Sequence, residues 1–218
     1  MNSPILQLLV LAGIAVFLIL RLKNVLGTRE GFEKPTLPRQ AEPSARKPDL
    51  SVIEGGPDRD ITDHAEEGSD TALALSQMKR LEPSFSVNEF IQGARAAYEM
   101  ILMGFERGDL AEIKPFLSEE VYETFAQVVE DREAQGLTIE AEFLGVRETS
   151  LVEAELLDGN IAEISIRFVG ELISAVRDNA GEIIEGNPNS PKKQRDVWTF
   201  ARTMGTDDPN WQLVATGG

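Results

Sequence analysis

The chain has 218 residues, with 37 acidic and 21 basic side chains, a formal net charge of −16 and no cysteine. This balance excludes a domain whose main task is coating nucleic acid, because phosphate neutralisation needs clustered Lys and Arg. It also keeps the body of the protein off anionic lipid, and the absence of cysteine agrees with a reducing compartment.

Met1 to Leu20 carries no charged side chain, and Ile5 to Leu20 is apolar except for Gln7. A hydrocarbon core about 30 Å thick needs roughly 20 apolar residues in a helix, so this stretch predicts a transmembrane anchor. Arg21 and Lys23 are placed to reach lipid headgroups. A secretory signal would need a basic n-region and an Ala-x-Ala-like cleavage site, and neither is present, so the anchor is expected to be retained. Arg21, Lys23, Arg29, Lys34 and Arg39 all follow the apolar run. Positive charge stays inside, which predicts a single-pass protein with its N-terminus outside and its C-terminal domain in the cytoplasm or a matrix-like space.

From about residue 28 to residue 69 the sequence is polar and is interrupted by Pro35, Pro38, Pro43, Pro48 and Pro57. Its first half is basic and its second half acidic. Such composition predicts a disordered linker, since it cannot bury enough surface to offset its ordering entropy. The lone histidine, His64, falls in the acidic half. A metal site needs converging ligands, so His64 is read as incidental. The expected organisation is an anchor and juxtamembrane stretch over 1–27, a linker over 28–69 and one folded domain over 70–218.

In that domain Ala72, Leu73, Leu75, Met78 and Leu81 predict a short amphipathic helix ending before Pro83. Ser86 and Glu89 form a capping box, with Phe85 and Phe90 as the hydrophobic staple around it. From Val87 to Phe105 apolar residues recur at three- and four-residue steps, which predicts a five-turn helix stopped by Gly108. Asp109 is expected to cap a short helix that Pro115 ends, and Ser118 a further helix reaching Gly136. Glu119 and Glu120 resemble a catalytic carboxylate pair, but in a first helical turn they oppose the positive dipole end.

After Gly136 the period changes to two. Thr138 to Leu157, Asn160 to Val176, Gln194 to Thr203 and Trp211 to Thr216 are predicted strands, joined at Asp158-Gly159, Asp178–Gly181 and Asp207–Asn210. The first two exceed ten residues, so bends and bulges are expected. Helices followed by an antiparallel sheet make the fold class α+β.

The run Asp196-Val197-Trp198-Thr199-Phe200-Ala201-Arg202, followed by Asp208-Pro209-Asn210-Trp211-Gln212-Leu213, resembles the C-terminal signature of the family of mitochondrial inner-membrane import subunit forty-four. Phe90, Gly93-Ala94, Gly108-Asp109, Leu117-Ser118, Val121-Tyr122, Phe125 and Arg132 fall in the order that domain shows. The anchor followed by Asn24-Val25-Leu26-Gly27-Thr28-Arg29 is similar to the family's short bacterial members. The resemblance covers Asp70 to Gly218. It implies a cone-like fold of the nuclear transport factor two superfamily, a curved sheet wrapping helices around an apolar pocket. It also implies an adaptor or tether at an inner membrane that binds a protein partner in protein translocation or complex assembly. The mitochondrial protein's long charged N-terminal region has no counterpart here, so a presequence-import role is not carried over.

The candidate ligand or partner pocket comprises Tyr98, Phe105, Tyr122, Phe125, Phe168, Trp198, Phe200 and Trp211, with Arg21 and Lys23 as headgroup contacts. Arg202 and Asp196, at opposite ends of one strand, are expected to form structural ion pairs. A lipid or small apolar ligand carrier using the pocket is the alternative function. An enzyme would have to use Tyr98 or Tyr122 with a buried carboxylate. With no cysteine, no histidine past residue 69 and no phosphate loop or metal spacing, no catalytic residue, metal or cofactor is expected. The expected partners are an unidentified protein and inner-membrane lipids, with no nucleic acid.

Overall fold

The computed structural model describes residues 57–217. The anchor, Arg21, Lys23 and the first part of the linker lie outside the described residues. Among those described, no helix is long and apolar enough to cross a membrane.

Among the described residues five helices precede the sheet: α1 (Arg59–Thr62), α2 (Asp70–Leu81), α3 (Val87–Arg107), α4 (Leu110–Ile113) and α5 (Glu119–Ala134), with a 3-10 turn at Lys114–Phe116 between the last two. Their ends follow local chemistry. Ser69, Ser86 and Ser118 each accept a hydrogen bond from the amide three residues on, at 3.2, 3.3 and 3.3 Å. Gly108 closes α3 in the left-handed conformation that glycine adopts without steric strain, φ 75°. The staple is present, with the Phe85 and Phe90 rings 6.4 Å apart. Asp109 occupies the N-cap of α4 but makes no side-chain capping bond.

Helix α1 departs from the linker reading. Asp58 and Asp60 both reach Lys79 at 2.7 Å, and Asp60 also accepts from the Val87 and Asn88 amides. Ile61 and Ala65 are buried in the core, and the His64 ring bonds the Asn88 side chain at 2.8 Å. Asp58 and Asp60, which look like solvated linker, therefore have specific partners far along the chain.

Strands β1 (Thr138–Leu157), β2 (Ile161–Arg177), β3 (Ile183–Thr203) and β4 (Gln212–Gly217) pair in sequence order as an antiparallel meander. The β1/β2 register slips at Phe143/Gly145, Val146/Glu148 and Leu151/Glu153. Bulges of this kind bend a strand and raise its twist, and they curve this sheet. Strand β3 begins eleven residues before the predicted Gln194, because Ile183, Glu185–Asn187 and Lys192–Lys193 pair with the end of β2. Pro188 and Pro191 are tolerated there because residues 188–191 bulge out of the β2/β3 ladder between the Leu172–Lys192 and Ser174–Asn187 pairs and β4 pairs only with Val197–Ala201, so no ladder hydrogen bond is lost.

The core lies on one sheet face. Ala162, Ile164, Ile166 and Phe168 alternate along β2 beside Trp198 and Phe200 of β3, and they meet Leu75 and Met78 of α2 and Tyr98, Ile101 and Leu102 of α3. The class is α+β, helices packed on a curved antiparallel sheet.

Candidate functional site

The fold separates the eight candidate aromatics into three groups. Tyr98, Phe168 and Trp198 fill the centre. Tyr98 stacks on Phe168 at 4.4 Å and 18°, and the Trp198 ring is 4.7 Å from it. Tyr98 and Phe168 are fully buried and Trp198 is 4% exposed. The Tyr98 hydroxyl donates to Asp196 at 2.5 Å, which also accepts from Gln194. Burial pushes the Tyr98 phenol far up, reinforced by Asp196. Burial also raises the Asp196 carboxyl, although the Tyr98 and Gln194 hydrogen bonds work against it. Asp196 thus pairs with a phenol and not with a cation. A buried tyrosine beside a raised carboxylate would suit proton transfer if it faced a cavity, but the Tyr98 ring is fully buried against Phe143, Phe168 and Trp198.

Phe105 of α3 and Phe125 of α5 form a second group, with Tyr122 three residues before Phe125 on α5. Phe105 and Phe125 meet at 4.4 Å, Arg132 lies over Phe105 at 4.4 Å and Lys114 over Tyr122 at 4.4 Å. Cations already cover two of these ring faces, as expected of helix-to-helix support.

Phe200 and Trp211 belong to the third group, which lines a half-open pocket of about 340 Å³. Trp211 packs on Phe90 at 4.6 Å and on Phe85 at 6.0 Å, and Phe200 stands edge-on to Phe90. One wall is the small-residue face Gly93, Ala94 and Ala97 of α3, and the opposite wall is the Pro209-Asn210 turn. At one end Arg202 lies over Trp211 at 5.2 Å and donates to Glu82 at 2.7 Å. Its side chain is only 7% exposed, and its Nε has no hydrogen-bond partner among the described residues. Burial would raise the Glu82 carboxyl, yet Arg202, the Gly205 amide and Ser84 hold it below the usual carboxylate value.

Sequence reasoning missed Phe85, Phe90, Glu82 and Gly93 as pocket residues. The two phenylalanines carried a signal, the staple, but that motif explains their packing on each other and not their second contact with Trp211. Among the described residues no group of three His, Cys, Asp or Glu side chains is arranged to hold a metal. What the pocket offers is apolar contact, the partly exposed Trp211 and Phe116 rings and a buried guanidinium, the means of recognition.

The Tim44-like domain model matches residues 71–218, from the start of α2 to the end of the chain, and so takes in helices α2 to α5, the sheet and the Trp211 pocket. This chain belongs to the Tim44-like domain family. The mitochondrial import inner membrane translocase subunit TIM44 of Homo sapiens is 24% identical over 143 residues, 64% of this chain and 31% of that protein. Subunit TIM44-1 of Arabidopsis thaliana is 24% identical over 151 residues, 66% of this chain and 32% of that protein. The Tim44-like chain thus spans about a third of the length of these relatives. The intermembrane space region of chloroplast protein ARC6 superposes on 50% of this chain and 75% of its own, at 10% identity and a TM-score of 0.31, a partial likeness on which nothing rests.

Proposed function

We propose that this Tim44-like protein is a membrane-tethered adaptor whose folded domain docks a protein partner at the Trp211 pocket, in protein translocation or assembly of a membrane complex. The apolar Met1–Leu20 stretch would be the anchor in the inner membrane, with Arg21 and Lys23 at the headgroups. The observation that carries the reading is the half-open pocket with its partly exposed Trp211, inside a domain whose relatives are named as subunits of an inner-membrane translocase. Aromatic side chains beside an arginine are the residue types that dominate binding energy at protein interfaces. Tethering one partner beside a membrane raises its effective concentration to about the mM range for short flexible linkers.

A carrier enclosing a lipid or small apolar ligand has less support, because Tyr98, Phe168 and Trp198 fill the centre of the fold. An enzyme has less still, since the raised Asp196 carboxyl does not line the pocket.

The test places a photo-crosslinking residue at Trp211, Tyr122 or Trp198 in the membrane-bound protein in living cells. A discrete protein adduct from Trp211, absent from Trp198, supports the adaptor. Lipid adducts alone would replace it with the carrier, and no adduct at Trp211 would remove the pocket as the docking site.

A further inference from the structure

We propose that the open edge of β3 at Lys192–Asp196 takes an extended acidic segment of a partner protein as a fifth strand, with Lys193 and Arg195 binding acidic side chains two residues apart. None of Lys192–Asp196 lines the Trp211 pocket, so this site does not rest on the role proposed for the pocket.

Backbone pairing is the first argument. On one side β3 pairs with β2 from Lys192 to Thr203 without a register shift. On the other side β4 pairs only with Val197–Ala201. Lys192–Asp196 is therefore regular strand whose second side has no strand partner among the described residues. It is bounded by β4 at Val197 and by the bulge carrying Pro188 and Pro191, residues that cannot donate to a ladder. Unpaired N–H and C=O groups along a strand edge are a template for another chain.

Charge is the second argument. The register places Lys192, Gln194 and Asp196 on the face that carries Trp198, and Lys193, Arg195 and Val197 on the outer face. Arg167 of β2 stands opposite Val197 and Val169 opposite Arg195, so Arg167 and Arg195 are diagonal neighbours, with Lys193 about 7 Å further along the strand. All three cations are exposed, and none makes an ion pair among the described residues. On a chain of formal net charge −16 this is a local reversal of sign at the unpaired edge.

Together these features select the occupant. Lysine on an edge discourages pairing with the same edge of a second copy, because like charges would face each other. An anionic membrane would meet Glu148 and Glu171 on the same face and would supply no strand backbone. An extended chain with Asp or Glu at alternate positions supplies main-chain hydrogen bonds for the edge and carboxylates for Lys193 and Arg195.

The test uses the full chain in phosphatidylcholine nanodiscs and a fluorescein-labelled peptide of alternating residues, Val-Glu-Val-Glu-Val. Anisotropy should show saturable binding below about 1 mM, with hydrogen exchange slowed within Lys192–Asp196. Lys193→Ala with Arg195→Ala should weaken binding about tenfold. Arg80→Ala with Arg107→Ala removes the same charge at exposed sites elsewhere and should leave it unchanged. In an added strand only alternate amides face β3, so N-methylating the two glutamates in one peptide and the central and last valines in another should abolish binding of one and leave the other within about twofold. No binding up to about 1 mM, equal losses for the two methylated peptides, or equal losses for the two double variants would each overturn the proposal. Binding to phosphatidylglycerol vesicles without peptide binding would give the patch to a membrane instead, and a dimer that excludes the peptide would give the edge to a second copy. Every one of these results leaves the Trp211 crosslinking test of the adaptor untouched.

Discussion

Asp60 accepts a hydrogen bond from the Val87 amide at 2.8 Å, so helix α3 is capped from 27 residues upstream. The same carboxylate takes the Asn88 amide at 2.9 Å and pairs with Lys79. Asp60→Asn should destabilise the domain by about 1 to 2 kcal/mol at pH 7, read by urea denaturation. Burial works against ionisation here, but Lys79, the Asn88 and Val87 amides and Ser86 override it and hold the carboxyl well below its usual range. A depressed folded pKa gives stability that is present above the unfolded value near 4 and lost as pH falls toward the folded value. The gap between wild type and Asp60→Asn should therefore be full at pH 7 and narrow as pH drops below about 4.

The two tryptophans should separate stability from binding. Trp198, 4% exposed in the Tyr98–Phe168 stack, supports the core, and Trp198→Ala should cost about 3 to 5 kcal/mol in urea denaturation. Trp211 is partly exposed at the pocket. Trp211→Ala should cost clearly less stability while weakening partner capture by about tenfold or more. Equal stability losses for the two would show Trp211 to be core.

The elements that were legible in the sequence are those whose signals are local. The serine caps, the Phe85–Phe90 staple, the Gly108 stop and the alternation through Thr138–Leu157 each act within a few residues, and each appears in the fold. Helix α1 was not legible because four residues cannot hold a helix by themselves. Its determinants are Asp58 with Lys79, 21 residues away, and Asp60 with Val87. The first half of β3 was hidden by Gly186, Pro188 and Pro191, which read as loop, the prolines being permitted where residues 188–191 bulge out of the β2/β3 ladder. Grouping eight aromatics into one pocket failed for a related reason. Alternation places a side chain on a face, but helix packing decides whether that part of the face is sealed by Tyr98 or left open at Trp211.

Gly186 marks where the β3 arm folds onto β2. It has φ +79°, and a Cβ there would lie 2.1 Å from the Ser174 carbonyl oxygen. Backbone on both sides cannot yield as a flexible side chain would. Gly186→Ala should cost about 1 to 3 kcal/mol, with hydrogen exchange accelerated in Ile173–Arg177 and its β3 partners before the rest of the sheet. Uniform acceleration would mean that the arm is not a separate opening unit.

Tyr98 and Asp196 supply the last prediction, in which burial and hydrogen bonding compete. Tyr98→Phe removes the donor that Asp196 holds at 2.5 Å and should cost about 1 to 3 kcal/mol at pH 7. Asp196→Asn keeps an acceptor for the Tyr98 hydroxyl while removing the charge that burial disfavours. The Asp196 carboxyl is raised, so its contribution is full below the ordinary value near 4 and declines as pH rises through the folded value. Asp196→Asn should accordingly melt higher than wild type at pH 7, and the difference should vanish near pH 3 to 4. If Asp196→Asn melts lower at pH 7, the Tyr98 and Gln194 hydrogen bonds to the ionised carboxylate outweigh its burial, and the pH dependence should run the opposite way.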